Sequence, residues 1–535
     1  MNKTIYIHKI KIICKFSLLF YLIFVVSCQN TTETQREKPD LSNTDFIYLK
    51  DNHFELRNER FFPVMLNYCV SFRNIDGELV VSPYINYEKH GEFEYDTKAE
   101  TEEQLRGHFQ LIKEMGFNSL RVTFDRGNEN EGKFYYSDFS IDDDYEKILS
   151  GFENFIHIAT EKGLRIMFLL KTPFDKSVEN FTVKILQKFS TNPTVFAYDF
   201  FNEPLYFDIE QKRSKQSAKN VQLKWKTMME ENAPNQLFTI GFAEPIEVFK
   251  YDPAMSPVDF VSFHTYHPLR VKSEIYWYSQ YIPKPLMIGE IALPADEDSI
   301  PYSYQTNFAK EISEYAIDCG IAGFGWWDFQ EDLMQVNTSF EAAYAGILNH
   351  EGVTTTADGK YTIIGTPKPV VEEIKKIAAY QSKNKNEKPV NYYNNLGYNN
   401  FVIKGKIIDK KTKKPIEGAV IRGWSEWWGI AWNTYSDKNG NFTLYSNEKF
   451  IHFSISAPNY STDVFNKELN YKKITNENFD INNLPDTELE YHKISYIPLL
   501  KDSAVSVFDF EPTKFNQAKF EADMGEIKLK QINFK

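Results

Sequence analysis

At residues 200–204 the chain reads Phe200-Phe201-Asn202-Glu203-Pro204, and at residues 286–290 it reads Leu286-Met287-Ile288-Gly289-Glu290. In both stretches a glutamate ends an apolar run with strand-like neighbours. In an α/β barrel, the chemistry takes place at the carboxyl ends of such strands. Two glutamates that face each other across a pocket are the minimum required to cleave a glycosidic bond. The two stretches therefore predict a barrel that carries a working pair of carboxylates.

Around these stretches, from about residue 46 to 380, strand-like and helix-like segments alternate, which is the pattern of a parallel α/β fold. The helix predicted at 101–115 stops at Gly116, and the helix predicted at 144–162 stops at Gly163. Eight strands with helices between them are the count of a (β/α)8 barrel. The predicted strands are 62–68, 119–124, 164–170, 196–201, 237–242, 260–264, 286–290 and 322–327.

The rest of the chain has a different pattern. Residues 381–398 break the alternation with a polar run and are predicted to be a linker. Residues 399–535 are rich in strands separated by turn signals such as Asp437-Lys438-Asn439-Gly440, which predicts a small β-sandwich. Its strands are predicted at 401–409, 419–422, 434–437, 442–446 and 450–457.

Composition sets broad limits on the function. A chain of 535 residues exceeds one ordinary domain, and a hydrophobic content of 42% is enough to bury a large core. An aromatic content of 16% suits a protein that stacks sugars, although core packing accounts for most of it. The formal net charge of −13 argues against binding to nucleic acid, which needs clustered lysine and arginine.

The N-terminus is predicted to be a targeting segment. Four lysines, Lys3, Lys9, Lys11 and Lys15, precede an apolar run at 16–26, which is the pattern of a secretory signal and too short for a comfortable membrane span. The end of the run, Val25-Val26-Ser27-Cys28, resembles a bacterial lipobox. It predicts a signal peptide at 1–27, lipidation of Cys28, a tether at 28–45 and a lipid-anchored protein of the bacterial cell envelope, in the outer membrane or at the cell surface. An uncleaved anchor or an ordinary signal peptide is the alternative.

Two cysteines remain after the signal and Cys28 are set aside. Cys69 falls just past the top of the first predicted strand, whereas Cys319 falls at the bottom, just before the last one. The length of a strand holds them too far apart to bridge. We expect two free, buried thiols.

Further polar residues stand at the predicted strand ends. Asn202 could hold a substrate 2-hydroxyl. Arg121 ends an inner strand, where a cation needs a carboxylate partner, so it could keep Glu290 ionised or form a structural ion pair. His264 and Tyr266 alternate along one strand and can face the same side, which favours a role in the site over simple core packing.

Trp326 and Trp327 lie at the end of the last predicted strand. Either indole can serve as a platform for a sugar, and the other is expected to pack against helices. We favour Trp327 as the inward-facing residue.

These positions together resemble a known group of proteins. Residues 46 to about 380 resemble a clan A glycoside hydrolase, the cellulase-like (β/α)8 group, and are closest to glycoside hydrolase family 5, with the subfamily open. That clan carries Asn-Glu at the end of strand 4 and a nucleophilic glutamate at the end of strand 7, which match Asn202, Glu203 and Glu290. Its arginine on strand 2, His-x-Tyr on strand 6 and tryptophan on strand 8 match Arg121, His264, Tyr266 and Trp327. Trp327-Asp328-Phe329 also resembles the family 2 catalytic barrel, and Lys368-Pro369-Val370-Val371 resembles the start of the last barrel helix in both families.

The C-terminal part contains the segments Val402-Ile403-Lys404-Gly405, Pro415-Ile416-Glu417-Gly418-Ala419 and Asp437-Lys438-Asn439-Gly440-Asn441-Phe442. With these segments it resembles a carboxypeptidase regulatory-like, or transthyretin-like, sandwich, a resemblance that implies no peptidase activity. The segment Asp523-Met524-Gly525-Glu526-Ile527-Lys528-Leu529 looks like its closing strand. One loop of this part is crowded with the tryptophans Trp424, Trp427, Trp428 and Trp432. This aromatic patch could bind glycan or dock on the barrel, and docking is favoured.

The resemblance implies a retaining β-glycosidase, most simply an endo-enzyme acting on a β-linked polysaccharide such as mannan or glucan. Glu290 would be the nucleophile and Glu203 the general acid/base, about 5–5.5 Å apart. No metal or organic cofactor is expected. Two alternatives stay open: an exo-acting glycosidase with a pocket closed by loops such as 125–143 with Tyr135 and Tyr136, and a non-catalytic glycan-binding surface lipoprotein.

Overall fold

The computed structural model describes residues 40–84, 87, 97–124, 141–170, 176–210, 212–336, 339–383, 388–389, 400–429, 431–446, 448–475 and 519–532. The predicted signal peptide, Cys28, Tyr135 and Tyr136 lie outside these residues, as do most of the predicted tether and linker. Residues Leu41–Lys535 belong to one compact unit.

A closed barrel of eight parallel strands forms the centre of the fold. The strands of this part of the chain are β1 (Tyr48–Lys50), β2 (His53–Leu56), β3 (Glu59–Phe61), β4 (Val64–Ile75), β5 (Glu78–Pro83), β6 (Ser119–Phe124), β7 (Arg165–Leu169), β8 (Val195–Asn202), β9 (Leu237–Phe242), β10 (Val261–His264), β11 (Leu286–Glu290) and β12 (Phe324–Trp326). The barrel runs from β4 through β6 to β12, and β12 pairs with β4 to close it. The predicted (β/α)8 barrel is therefore confirmed.

The connection between β9 and β10 contains the 3-10 helix Pro245–Phe249. The α-helices lie in the other connections between barrel strands and after the last barrel strand. They are α1 (Lys98–Glu114), α2 (Ile141–Lys162), α3 (Lys176–Phe189), α4 (Pro204–Phe207), α5 (Lys215–Asn232), α6 (Val271–Tyr281), α7 (Tyr302–Asp318), α8 (Phe340–Tyr344) and α9 (Val371–Ile377). Helix α1 begins at a capping box in which Thr97 and Glu100 satisfy each other's backbone N–H groups. It ends before Gly116, whose φ of 96° is the left-handed conformation that glycine adopts readily.

The first barrel strand is longer than its sequence pattern indicated. The prediction ended at residue 68, but β4 continues to Ile75 and pairs antiparallel with β5. Asp76 and Gly77 join the two strands with positive φ angles of 52° and 85°, which are typical of a tight hairpin turn. The other barrel strands agree with the prediction within two residues at each end.

A small antiparallel sheet, β1–β3, covers the amino end of the barrel. Phe54 of this sheet is fully buried. Its ring makes edge-to-face contacts with Phe196 and Phe260, at centroid distances of 6.3 and 5.1 Å. Met65, Met167 and Met287 belong to the same apolar cluster. The sheet therefore plugs the end of the barrel opposite the predicted site.

Two four-stranded sheets follow the barrel, as predicted for the C-terminal part. The remaining strands are β13 (Val353–Thr355), β14 (Thr362–Ile364), β15 (Phe401–Asp409), β16 (Val420–Trp424), β17 (Ala431–Tyr435), β18 (Asn441–Ser446), β19 (His452–Ser456), β20 (Asp463–Asn466), β21 (Lys472–Thr475) and β22 (Lys519–Leu529). The sheet orders are β18-β15-β22-β21 and β17-β16-β19-β20. They pack closely: a Cβ at Gly423 of β16 would lie 2.9 Å from Leu444 of β18. Strand β22 contains the predicted closing strand and pairs parallel with β15.

The sandwich packs directly on the barrel. Trp277 of α6 donates from Nε1 to the carbonyl oxygen of Gly418 at 2.9 Å, and this contact is buried. Lys215 of α5 reaches both Asp252 (3.0 Å) and the carbonyl oxygen of Ala457 in the sandwich (3.1 Å). These buried polar contacts give the interface a defined geometry.

Two further expectations concern individual residues and the membrane. Cys69 and Cys319 are both buried in the described part of the chain, and neither forms a disulfide there, as predicted. Within the described ranges, none of the helices combines the length and the apolar run needed to cross a bilayer.

Replacing Phe54 by alanine should lower the free energy of unfolding by about 3–5 kcal/mol, because it leaves a cavity among three elements. Denaturant unfolding followed by tryptophan fluorescence measures this loss. Val353→Ala, at a side chain that is 64% exposed, is the control and should change stability by less than about 0.5 kcal/mol. Equal stability of the two variants would contradict the assigned role of the plug.

Candidate active site

The two predicted glutamates lie at the carboxyl ends of their strands. Glu203 directly follows β8, with a left-handed φ of 44°, and its N–H donates to the carbonyl oxygen of Gly241 at 2.6 Å. Pro204 then begins α4, so the chain turns sharply away from the strand. Glu290 is the last residue of β11. One oxygen of each carboxylate and a ring nitrogen of His264 lie within 4.8 Å of one another.

Arg121, fully buried on β6, is hydrogen-bonded to four side chains. Nε donates to Asp199 at 2.9 Å, and Nη1 donates to Asn67 at 3.0 Å and to Oε1 of Glu290. Nη2 donates to Oδ1 of Asn202 at 2.8 Å. One guanidinium thus connects residues of β4, β6, β8 and β11. The sequence suggested that Arg121 could pair with Glu290 or form a structural ion pair. It does both, because it pairs with Glu290 and also with the buried carboxylate of Asp199.

Two glycines make room for this network. A Cβ at Gly241 would lie 2.9 Å from both Asp199 and Nε2 of His264. A Cβ at Gly289 would lie 2.2 Å from Ser262 and 3.0 Å from the same ring nitrogen. Real Cβ atoms do not approach so closely, so these two strand positions require glycine.

Glu290 is held in its charged form. Its Oε2 accepts a hydrogen bond of 2.5 Å from the hydroxyl of Tyr266, and its Oε1 accepts from Arg121. Burial raises the pKa of Glu290, but the neighbouring His264, the positive charge of Arg121 and these hydrogen bonds outweigh it. The pKa of Glu290 therefore lies below its usual value.

The carboxyl of Glu203 has a raised pKa. Burial raises the pKa of this carboxyl, and the hydrogen bond from the neighbouring His264 lowers it only in part. The negative charges of Glu290 and Glu244 raise the pKa of Glu203 further. The two neighbouring carboxyls are thus displaced in opposite directions.

His264 lies between the two carboxylates. Its Nδ1 is 3.0 Å from Oε1 of Glu203 and 3.5 Å from Oε1 of Glu290. Among the described residues its buried Nε2 has no hydrogen-bond partner, and it packs against Gly241 and Gly289. The ring can therefore orient both carboxylates through a single nitrogen.

The two tryptophans at the end of β12 differ in their surroundings. Trp326 is fully buried and donates from Nε1 to the carbonyl oxygen of Ala345 at 3.1 Å. Trp327 lies on the wall of the cavity that contains the glutamates. The peptide bond between Trp327 and Asp328 is cis.

This cavity has a volume of about 600 Å³, within the usual range of about 300–1,000 Å³ for ligand sites. Of the predicted site residues, Asn202, Glu203, Tyr266, Glu290 and Trp327 line it, while Arg121 and His264 are bonded to those carboxylates. Lining residues that the sequence analysis did not identify are Thr123, Leu169, Tyr206, Glu244, His267, Arg270, Glu341, Ala342, Arg422 and Gly429. Asp199 and Asn67 were also missed, although each is a polar residue inside a strongly apolar strand.

Glu203, His264 and Glu290 form the one set of three potential metal ligands found among the described residues. The charge of Arg121 lies against Glu290 and would repel a divalent cation. Both oxygens of Glu290 already accept hydrogen bonds. The donor set is therefore better suited to moving a proton than to holding a metal.

No family model matches the sequence, and no curated protein matches it. Among solved structures, the chain is similar to the exo-β-1,4-mannosidase Op5Man5 from Opitutaceae bacterium strain TAV5, with a TM-score of 0.43 and 15% identity over 60% of this chain and 59% of that one. It is also similar to GH5_18 from Streptomyces cattleya in complex with GlcNAc (TM-score 0.44, 14% identity, 66% of this chain and 85% of that one). A third structure is β-glucuronidase 2 from Bacteroides uniformis (TM-score 0.41, 12% identity, 79% of this chain and 48% of that one). At these values the similarities do not identify a family for the chain.

Replacing Arg121 by methionine should lower the free energy of unfolding by about 3–5 kcal/mol, because two buried carboxylates lose their cation. Adding Asp199→Asn removes one of those charges and should restore part of the loss. Urea unfolding at pH 7 measures both effects.

The matched control is Arg57→Met, which breaks the exposed pair with Asp45. That change should cost less than about 1 kcal/mol. A loss in Arg121→Met no larger than in the control would contradict the central role of the buried guanidinium.

Proposed function

We propose that the protein is a retaining glycoside hydrolase that cleaves a β-linked oligosaccharide or polysaccharide. One observation carries the proposal: two carboxyl groups within 4.8 Å of each other have pKa values displaced in opposite directions. A pair of this kind has a ready acid and a ready nucleophile at the same pH.

In the first step, an oxygen of Glu290 attacks the anomeric carbon of the sugar. The bond from that carbon to the glycosidic oxygen breaks, and its electron pair stays on the leaving oxygen. Glu203 gives its proton to this oxygen, so the leaving sugar departs as a neutral alcohol. The products of the step are a glycosyl ester of Glu290 and the carboxylate of Glu203.

In the second step, Glu203 accepts a proton from water as the water oxygen attacks the anomeric carbon. The ester bond to Glu290 breaks and restores its carboxylate. Two inversions at the same carbon give net retention of configuration. Arg121 and Tyr266 keep Glu290 aligned in both steps, because each donates to a different one of its oxygens.

The spacing of the carboxyls supports retention over inversion. Retaining enzymes separate the two groups by about 5–5.5 Å, whereas inverting enzymes leave about 6.5–9.5 Å for a water molecule. One oxygen of Glu203 and one of Glu290 lie within 4.8 Å of each other, an approach that favours the shorter, retaining separation.

Several features support a sugar substrate. Trp327 offers an indole at the cavity wall on which a pyranose ring can stack. Oδ1 of Asn202 accepts from Arg121, so its Nδ2 can donate to a sugar hydroxyl. A β-linked chain such as mannan or glucan is preferred because Asn202, Glu203 and Glu290 resemble the clan A pattern. The basic and apolar N-terminal segment that ends at Cys28 supports action at the bacterial cell envelope from a lipid anchor.

Replacing Glu290 by alanine should reduce hydrolysis by at least about 10⁴-fold, because the nucleophile is lost. Reducing-sugar release from β-mannans, β-glucans and xylans, wild type beside Glu290→Ala, measures this and names the substrate. Glu59→Ala, at an exposed glutamate, is the control and should leave activity unchanged.

The products of the same reaction separate the alternatives. Internal cleavage gives a ladder of oligosaccharides and supports an endo-enzyme, whereas monosaccharide or disaccharide release alone supports an exo-enzyme. Glycan binding without release by the wild type would instead favour a surface binding protein.

The activity should follow a bell-shaped pH profile. Below the lowered pKa of Glu290 the nucleophile becomes protonated, and above the raised pKa of Glu203 the acid loses its proton, so activity falls on both sides. Glu203→Ala should lose about 10²–10⁴-fold on the natural glycan.

The same variant should lose the alkaline limb of the profile and much less activity on a glycoside with a good leaving group. Added azide should restore turnover by forming the β-glycosyl azide. An alkaline limb that is unchanged in Glu203→Ala would assign the acid to another group.

A further inference from the structure

One wall of the cavity comes from the sandwich. Arg422, Trp427, Trp428 and Gly429, here called the sandwich wall, lie on β16 and on the segment between β16 and β17. They line the same cavity as Glu203 and Glu290. The sandwich therefore contributes one wall of the cavity that contains the two carboxylates.

Contacts on both sides fix the sandwich wall in place. The ring of Trp428 packs edge-to-face on Tyr206 of α4, with centroids 5.8 Å apart. The hydroxyl of Tyr206 in turn donates to Glu244 at 2.8 Å. Within the sandwich, Arg422 stacks on the same Trp428 ring: its guanidinium carbon lies 4.2 Å from the ring centre. Arg422 also donates to the Trp428 carbonyl oxygen at 2.8 Å.

Trp427 differs from its neighbours because it is 57% exposed. Its ring lies over Gly429, where an added Cβ would be 2.6 Å from the indole. In contrast, Trp424 of the same strand region stacks on His452 and does not line the cavity. An exposed indole at the rim of a cavity is a suitable surface for the apolar face of a pyranose ring.

The barrel topology assigns this indole to one side of the site. The sandwich wall contacts α4, which directly follows β8 and Glu203. Trp327 follows β12, which lies four strands away from β8 around the eight-stranded ring. The two carboxylates therefore lie between two tryptophans, and Trp427 is on the side of Glu203. Since the acid protonates the leaving oxygen, the leaving sugar lies on that side.

We propose that the sandwich completes the substrate cleft, with Trp427 as the platform for the sugar on the leaving-group side of the cleaved bond. Trp428 and Arg422 position the platform, and Gly429 lets its ring lie flat against the chain. The proposal rests on the proposed hydrolase function. It assigns a sugar-binding role to a residue outside the barrel.

The test compares two substrates, both built from the sugar that the glycan panel identifies. An oligosaccharide has a sugar as its leaving group, whereas a β-glycosyl fluoride has only fluoride. Trp427→Ala should lower kcat/KM about tenfold for the oligosaccharide, the scale of one lost aromatic stacking contact with its buried area. It should leave kcat/KM for the fluoride within about twofold of the wild type.

Two further variants sharpen the comparison. Gly429→Ala should displace the indole and lower kcat/KM for the oligosaccharide alone, while Trp424→Ala, a tryptophan of the same sheet outside the cavity, should lower neither. Unfolding midpoints confirm that each variant is folded. Equal losses on both substrates, or no loss on either, would overturn the platform.

Binding gives a readout that does not depend on turnover. Calorimetric titration of Glu290→Gln with β-1,4-mannohexaose and cellohexaose should give about tenfold weaker binding when Trp427→Ala is added. Unchanged affinity, with hydrolysis by the wild type intact, would overturn the platform and leave the hydrolase proposal standing. No hydrolysis and no binding of either probe would overturn both the platform and the hydrolase proposal. Binding that is weakened by Trp427→Ala, without any hydrolysis by the wild type, would overturn the hydrolase proposal alone.

Discussion

The buried guanidinium of Arg121 is the interaction on which the site depends. A cation inside a barrel is tolerated only with anions close by, and this one has two, Asp199 and Glu290. Arg121 and the hydrogen bonds to Glu290 lower the pKa of that carboxyl in spite of its burial. Among the described residues no such cation lies against Glu203, so burial, with a smaller contribution from the charge of Glu290, raises its pKa. The opposite displacement of the two pKa values thus depends on where the guanidinium lies.

The same network is part of the core that holds the barrel together. Arg121 connects β4, β6, β8 and β11. Gly241 and Gly289 have no Cβ, which leaves the space that Arg121 and His264 occupy. Residues that position the carboxylates are therefore also residues that pack the strands. In many folds the functional residues stand on loops outside the packed core, but here Arg121 and its partners lie inside the barrel, directly below the carboxylates.

The sequence was informative wherever a polar residue ended an apolar strand. Because parallel strands align their carboxyl ends, Glu203, Glu290 and Tyr266 could be brought to one place without any tertiary information. The extension of β4 was missed, although its Asp76-Gly77 turn is a recognisable hairpin signal. The plug β1–β3 was missed because strands of three or four residues carry little periodicity. Trp427 could be marked as part of an aromatic patch, but its position depends on how two domains dock, which no local pattern encodes.

The manner of docking bears on how the sandwich would act. A binding module on a free tether raises the local concentration of its ligand and leaves the catalytic cleft unchanged. This sandwich is instead held by the buried contact of Trp277 with Gly418 and by Lys215, which joins Asp252 to the sandwich backbone. Buried polar contacts of this kind are satisfied in one arrangement only, because a shift would leave their charges and N–H groups unpaired. The distance from the sandwich wall to the carboxylates is then fixed by the interface. In a hydrolase of the proposed kind, a wall at a fixed distance would select for the shape of the leaving sugar, which a tethered module could not do.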